Sequence, residues 1–331
     1  IGGGRSQPEI HGYFRPSLGS ASPYITAYKK SGDALTLLAL PSTPNYNVVS
    51  ISWSPNDNYL AIAFAGAVPY IYIYKRSGDA FTKLADPATL PAASCTGVAF
   101  SPDDNYLAVS HNNTPFMTIY KRAGDVFTKL ANPATLPPGT GTNCAAWSPD
   151  SVYLVLGSTT DPYIAIYKRA VDVLTKLADP TSILPNAVYS AAWSPDGNYL
   201  AVGGPSTPFL TIYKRSGDTF TKLANPATLP TANIISLAFS ADGNFLAVTQ
   251  QGTASWIYRQ TGDIFTKMTT SLSTTTGVSF SPDSRYLVGA QNASPGAVLF
   301  REANYITKTE FVVPTLTPPG TFANIKRYIK A

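Results

Sequence analysis

Few side chains in this 331-residue sequence are suited to acid–base or nucleophilic chemistry. It holds two histidines, His11 and His111, and two cysteines, Cys95 and Cys144. A general base must lie within hydrogen-bond reach of its target, and a nucleophile needs such a base beside it. No Ser-His-Asp or Cys-His set can be assembled from the spacing. The carboxylates at short spacing, Asp103 and Asp104, stand in a Ser-Pro-Asp-Asp turn and read as turn residues. No spacing of metal ligands is present, and IGGGR at the start has no strand before it and no helix after it, so it is not a phosphate loop. No cofactor or metal is expected. A different chemistry, that of amides and hydroxyls, is spread through short segments holding His111, Asn112, Asn113, Thr160, Asp161, Gln250, Gln251 and Asn292. Most of these side chains both donate and accept hydrogen bonds, as recognition of a sugar requires.

The elements that carry these segments repeat. A strand-like motif recurs as ITAYKK, IYIYKR, MTIYKR, IAIYKR, LTIYKR, SWIYRQ and AVLFRE, anchored on Tyr28, Tyr74, Tyr120, Tyr167, Tyr213, Tyr258 and Phe300. The anchors are spaced by 46, 46, 47, 46, 45 and 42 residues, and a period of this size marks a repeat architecture. Between these motifs a second one recurs, from ISWSPND at Ile51 to VSFSPDS at Val278. Its Ser-Pro-Asp-Gly piece reads as a tight turn, because proline sets φ at the second position and Asp, Asn or Gly suit the rest. Each unit then reads as four antiparallel strands, a to d. Strands a to c are apolar on both faces and must be covered on both. Strand d carries Lys83, Lys129, Lys176, Lys222, Lys267 and Lys308, and lysine protects an exposed sheet edge. Sheets stacked face to face with one protected edge make a β-propeller.

The expected fold is therefore all-β, a seven-bladed β-propeller of four-stranded antiparallel blades over residues 11–331, with a flexible leader at 1–10. The ring is expected to close by sharing. The N-terminus supplies strands b, c and d of the first blade, and Phe322 to Arg327 supplies strand a.

Charged residues make up 13% of the chain, about half the usual ~25%, and the net charge is +5. Much of the Lys and Arg repeats at strand and turn positions, which argues against a nucleic-acid footprint. No run approaches the roughly 18 apolar residues of a membrane helix. Asp33, Asp79, Asp125, Asp172, Asp218 and Asp263 repeat in the c–d turns and read as surface ion pairs. The aromatics Trp53, Phe100, Trp147, Trp193, Phe239 and Phe280 hold one position of strand a and read as core. Cys95 and Cys144 fall in neighbouring units at non-equivalent positions, and a disulfide between them is left open. The b–c loops differ most between units and carry the candidate binding residues named above.

The element SPDGNYLAV, Ser194 to Val202, resembles the strand turn of WD-repeat and TolB-like propellers. No Gly-His pair opens the units and no Trp-Asp pair closes strand c, so the WD hydrogen-bond network is not carried over. The whole unit, PYIxIYKRxGDxFTKLAxPATLP, resembles WD-like repeat proteins of bacteriophages and prophages. That resemblance implies a virion or extracellular-surface protein, a tail or surface component. The expected function is a non-catalytic binding or structural module, not an enzyme, recognising a host-surface glycan or protein. The alternatives are a decoration protein contacting only its own particle, a periplasmic interaction scaffold, and a propeller hydrolase or lyase. Expected partners are other virion or surface proteins, with no nucleic acid and no membrane insertion.

Overall fold

The computed structural model describes most of residues 9–312; residues 1–8, 15–24, 32–33, 42–44, 140, 181, 183–184, 273, 276, 282, 285, 291–296, 302–310 and 313–331 are left out of the description. The described strands form one three-stranded sheet and six four-stranded sheets, every pairing antiparallel between sequence neighbours. The three-stranded sheet, Glu9–Phe14, Ile25–Ser31 and Ala34–Leu38, comes first. Five four-stranded sheets follow between Val48 and Leu272, and a sixth ends at Phe311–Val312. Sheets are numbered one to seven along the chain, and strands a to d within each. The segment expected to close the ring, Phe322 to Arg327, lies outside the described residues.

The turns explain why each unit folds locally. In the a–b turn the serine hydroxyl bonds the aspartate two residues on, as in Ser148 to Asp150 and Ser194 to Asp196, both 2.5 Å. The same hydroxyl accepts the N–H of the residue that opens strand b, Tyr153 or Tyr199. One serine thus caps both sides of the turn. The next position has positive φ, filled by Asp57, Asp104, Ser151, Gly197, Gly243 and Ser284.

The core lies between successive sheets. One cluster joins Tyr59, Ala61 and Ile73 of sheet two to Val98, Leu107 and Tyr120 of sheet three, and others repeat this at later junctions. Strand b is buried along its whole length in sheets two to six, as the two-sided apolar pattern requires. The c-strand tyrosines Tyr74, Tyr120, Tyr167, Tyr213 and Tyr258 are fully buried. Four of them donate to a carbonyl of the preceding d–a loop: Thr89, Thr135, Ser182 and Thr228, at 2.8–3.0 Å. Each buried phenol therefore fixes the loop that delivers strand a. Burial pushes all five phenols up, Tyr213 to about 12.

The repeated turn aspartates do more than solvate a turn. Asp125 of sheet three accepts from Tyr59 Oη at 2.6 Å and Lys75 Nζ at 2.8 Å, both in sheet two. The same bridge recurs as Tyr106 and Lys121 with Asp172, Tyr153 and Lys168 with Asp218, and Tyr199 and Lys214 with Asp263. Arg122, Arg169 and Arg215 stack over Tyr59, Tyr106 and Tyr153 of the preceding sheet. Cys95 and Cys144 are both buried and are not joined by a disulfide, and burial pushes the Cys95 thiol up.

Candidate functional site

In an antiparallel meander the b–c and d–a loops share one face, and strand a of each sheet starts there. At that start the ladder is irregular. The a–b register slips between Val48 and Ser50, Cys95 and Gly97, Thr142 and Cys144, and Ile234 and Ser236. The residues left over by the slip are Val49, Thr96, Asn143 and Ile235. Tyr189, just before strand Ser190–Trp193, holds the matching place in sheet five, its N–H bonded to Gly203 O at 2.8 Å. A β-bulge leaves one residue unpaired and re-aims its side chain. Here each bulged residue is partly exposed between two buried neighbours, and Tyr189 is 38% exposed.

These residues meet. Successive a strands pack against one another from sheet two to sheet seven, around one axis. A cavity at the loop end of that axis is lined by Thr96, Asn143, Tyr189 and Ile235, with Ser50 and Ser190 behind them. Three bulk-polar groups therefore come from three different sheets. The next axial position down is small throughout: Ser52, Ala99, Ala146, Ala192, Ala238 and Ser279.

The polar members are held but not used up. Thr96 Oγ1 lies 2.9 Å from Ser110 Oγ and bonds the Thr142 carbonyl. Asn143 Nδ2 donates to Val188 O at 3.0 Å, which orients the amide and leaves its second N–H and its oxygen for a ligand. Behind this wall Ser50, Ser190 and Ser236 accept the N–H groups of Val98, Leu237 and Val278 from the next sheet. No group of three or more His, Cys, Asp or Glu able to hold a metal occurs among the described residues.

The loop residues singled out from the sequence divide by burial. His111 is 0% exposed, its Nε2 3.0 Å from Thr118 Oγ1. Desolvation holds its imidazole below the usual histidine value, opposed in part by backbone bonds at Asn113 and Met117. Gln250 is equally buried: its Oε1 accepts from Thr231 N at 2.7 Å and Ala232 N at 3.2 Å, and its Nε2 donates to Ala254 O. Both work inside the frame. Gln251 is exposed and accepts from Asn233 Nδ2 at 2.9 Å. Asn113 accepts its neighbour's N–H through Oδ1. Asn112 and Thr160 rest on one d–a loop, between sheets three and four, and Asp161 is exposed beside Thr160. Asn292 lies outside the described residues. The axial wall itself was missed. Its signal was present: in VVSISW, CTGVAF, TNCAAW, VYSAAW and IISLAF the second residue varies as freely as any loop.

Comparison with known proteins bears on these expectations. The WD domain, G-beta repeat family matches residues 179–207, which hold strands a and b of sheet five and so part of one unit. A search of curated proteins finds no relative of this sequence. Among solved structures, a protein from Lactobacillus plantarum is similar with a TM-score of 0.74 at 18% identity, covering 96% of this chain and 98% of the other. The periplasmic gluconolactonase of Pseudomonas aeruginosa gives 0.72 at 16% identity, covering 96% and 97%. A candidate 6-phosphogluconolactonase from Bacteroides uniformis gives 0.74 at 13% identity, covering 94% and 98%. The expectations of a non-catalytic virion module and of a protein that is not an enzyme are overturned by these neighbours, two of which carry lactonase names. The phage association finds no support beside them. Spacing along the chain does not reveal such catalytic groups, because a propeller brings its axial residues together from different sheets. At these identities the likeness establishes the architecture: an all-β propeller of four-stranded antiparallel sheets.

Proposed function

We propose that this chain is a hydrolase of small cyclic esters of the sugar-lactone class, acting at the loop end of the propeller axis. The observation that carries this reading is the bulged wall. Where the third and fifth positions of strand a stay small, the sixth stays aromatic and the fourth stays aliphatic, the axial second position changes character from sheet to sheet and becomes polar at Thr96, Asn143 and Tyr189. The lactonase names of two whole-length structural neighbours fit the same chemistry.

Hydrolysis of a lactone adds water to the acyl carbon, breaks the ring C–O bond, and returns the proton shed by water to the ring oxygen. Negative charge develops on the carbonyl oxygen in between. Fixed donors aimed at that oxygen are worth about 3–4 kcal/mol each in a water-poor site. The Tyr189 hydroxyl and the second N–H of Asn143 are the donors of this wall, and Thr96 adds a hydroxyl beside them. Asn143 Oδ1 is placed to accept from the attacking water. The test is turnover of D-glucono-1,5-lactone followed by proton release, against the spontaneous rate. Tyr189→Phe and Asn143→Ala are each expected to lower kcat/KM by about 100-fold. A wild-type rate equal to the spontaneous one would sink this reading.

The frame of the site follows the same proposal. Among the described residues the first sheet has three strands where its successors have four. The chain is read as a seven-bladed ring in which Phe322 to Arg327 adds that strand beside Glu9–Phe14.

A further inference from the structure

We infer that the rim between sheets three and four, built by Asn112 and Thr160 over a two-glycine loop, is a subsite for the hydroxyls of an uncharged polyol. It rests on the lactone reading and names the part of the substrate that decides specificity.

Each corner of the loop face ties a b–c loop to a neighbouring d–a loop, and most spend their polar side chains doing so. Between sheets two and three Ser94 Oγ accepts Gly66 N at 3.3 Å. Between sheets four and five Asn186 donates to Ser206 at 2.9 Å. In sheet six Gln250 and Gln251 are both bonded to the loop that enters it. The corner between sheets three and four is built differently. Its loop carries Gly139 and Gly141, and the two b–c loops rest directly on that backbone. A Cβ on Gly139 would fall 2.1 Å from Thr160 Oγ1, and one on Gly141 would fall 2.8 Å from Asn112 Oδ1. Gly139 also has φ +87°, a value that L side chains rarely adopt. Two strand-end hydroxyls bonded to loop carbonyls also hold the corner: Ser158 Oγ lies 3.0 Å from Pro138 O and 3.3 Å from Gly141 O, and Thr142 Oγ1 donates to Phe116 O at 2.6 Å.

The consequence is that the corner is closed by contact and by the Ser158 and Thr142 hydroxyls, and the polar heads of the b–c loops themselves are left over. The Asn112 amide, the Thr160 hydroxyl and the Asp161 carboxylate have no hydrogen-bond partner among the described residues, and Asn112 and Asp161 are exposed. They stand above the wall without a gap in the chain of contacts. Gly141 precedes Thr142, whose carbonyl holds Thr96, and Asn143 follows it. A ligand with its acyl group at Asn143 therefore extends its substituents toward Asn112 and Thr160. An amide and a hydroxyl both donate and accept, which matches a row of hydroxyls. The described residues lining the cavity, Ser50, Thr96, Asn143, Tyr189 and Ile235 among them, are uncharged, and the acid Asp161 follows Thr160 on the rim. That field suits a neutral ligand over a phosphorylated one.

The experiment compares kcat/KM for D-glucono-1,5-lactone and for δ-valerolactone, which lacks the hydroxyls, in wild type, Asn112→Ala, Thr160→Val and Gly141→Ala. The wild type is expected to prefer the hydroxylated ring. Each variant is expected to lower the ratio of the two values by about tenfold, the worth of one hydrogen bond. Gly141→Ala acts by displacing the Asn112 head. A ratio unchanged in all three, or a wild type that prefers δ-valerolactone or the 6-phosphorylated lactone, overturns the inference. If neither lactone is turned over, the hydrolase reading fails by itself. Binding of D-glucose to the full chain, read by ligand-observed NMR, then decides the subsite. Binding that weakens in Asn112→Ala and Thr160→Val sustains it, and absent or unchanged binding overturns it.

Discussion

At the scale of the residue, the repeated aspartates tie stability to pH in both directions. Asp125, Asp172, Asp218 and Asp263 are held below the usual carboxylate range, first by the lysine that bonds each one and then by the tyrosine. A depressed folded value favours the native state wherever the carboxylate is ionised. That contribution is whole above the unfolded value of about 3.9 and fades as pH falls through the lower folded value. The partner phenols work at the other end. Burial first, then the bond to aspartate, pushes Tyr153 and Tyr199 up to about 12. A raised value favours the native state below the unfolded value of about 10, and the gain is lost as pH climbs toward the folded one. The melting temperature by calorimetry is expected to hold across neutral pH, to drop below about pH 4, and to drop again above about pH 10. Asp218→Asn should shrink both drops. The ion pairs are half-exposed, so each alone contributes little, and the effect comes from their repetition.

At the scale of the element, strand b meets the next sheet at its loop end with almost no room. A Cβ on Gly157 would lie 2.6 Å from Val188 O and 2.8 Å from Cys144 Sγ. Gly157→Ala must move a backbone of the neighbouring sheet, and overpacking of this kind costs about 1–3 kcal/mol. Urea unfolding should show that loss, and Gly124→Ala is no control for it, because its φ of +59° brings strain of its own. The four strands of each unit were legible in the sequence because their cues are local: the Ser-Pro-Asp turn, the Lys-Arg-x-Gly-Asp turn and the alternation in YIYIY. The inter-sheet role of Asp125 or Asp218 was not legible, since its partners lie in the preceding unit and nothing in the local spacing names them. His111 and Gln250 show the same limit. Their loop positions read as open, and only the packing of a neighbouring loop buries them. Thr96, Asn143 and Tyr189 were hidden for a third reason. They sit inside a strand, where a register slip turns them to the axis.

At the scale of the whole molecule, each core cluster spans two sheets, so no sheet is complete alone. Stability in such an array is a sum of unit and junction terms, and open ends are its weak points. If Phe322 to Arg327 supplies the missing strand of the first sheet, removing residues 320–331 opens the ring at that seam. Calorimetry of the truncated chain is then expected to show a broadened, multi-step transition in place of one cooperative melt. A truncated chain that melts like the full one would refute the shared closure. The period in the sequence made the stack of sheets readable. The place where chemistry sits was not, because the axis belongs to no single repeat.

The bulge at the head of strand a has one more consequence. A bulged side chain stands outside the a–b pairing, so its type can change without changing the face that the rest of the strand presents. Positions 49, 96, 143, 189 and 235 therefore act as five teeth on one wheel, although Val49 also packs on a core cluster and Thr96 and Asn143 also bond the next sheet. Duplication of units can copy the frame unchanged while selection, or an engineer, rewrites the ligand one sheet at a time.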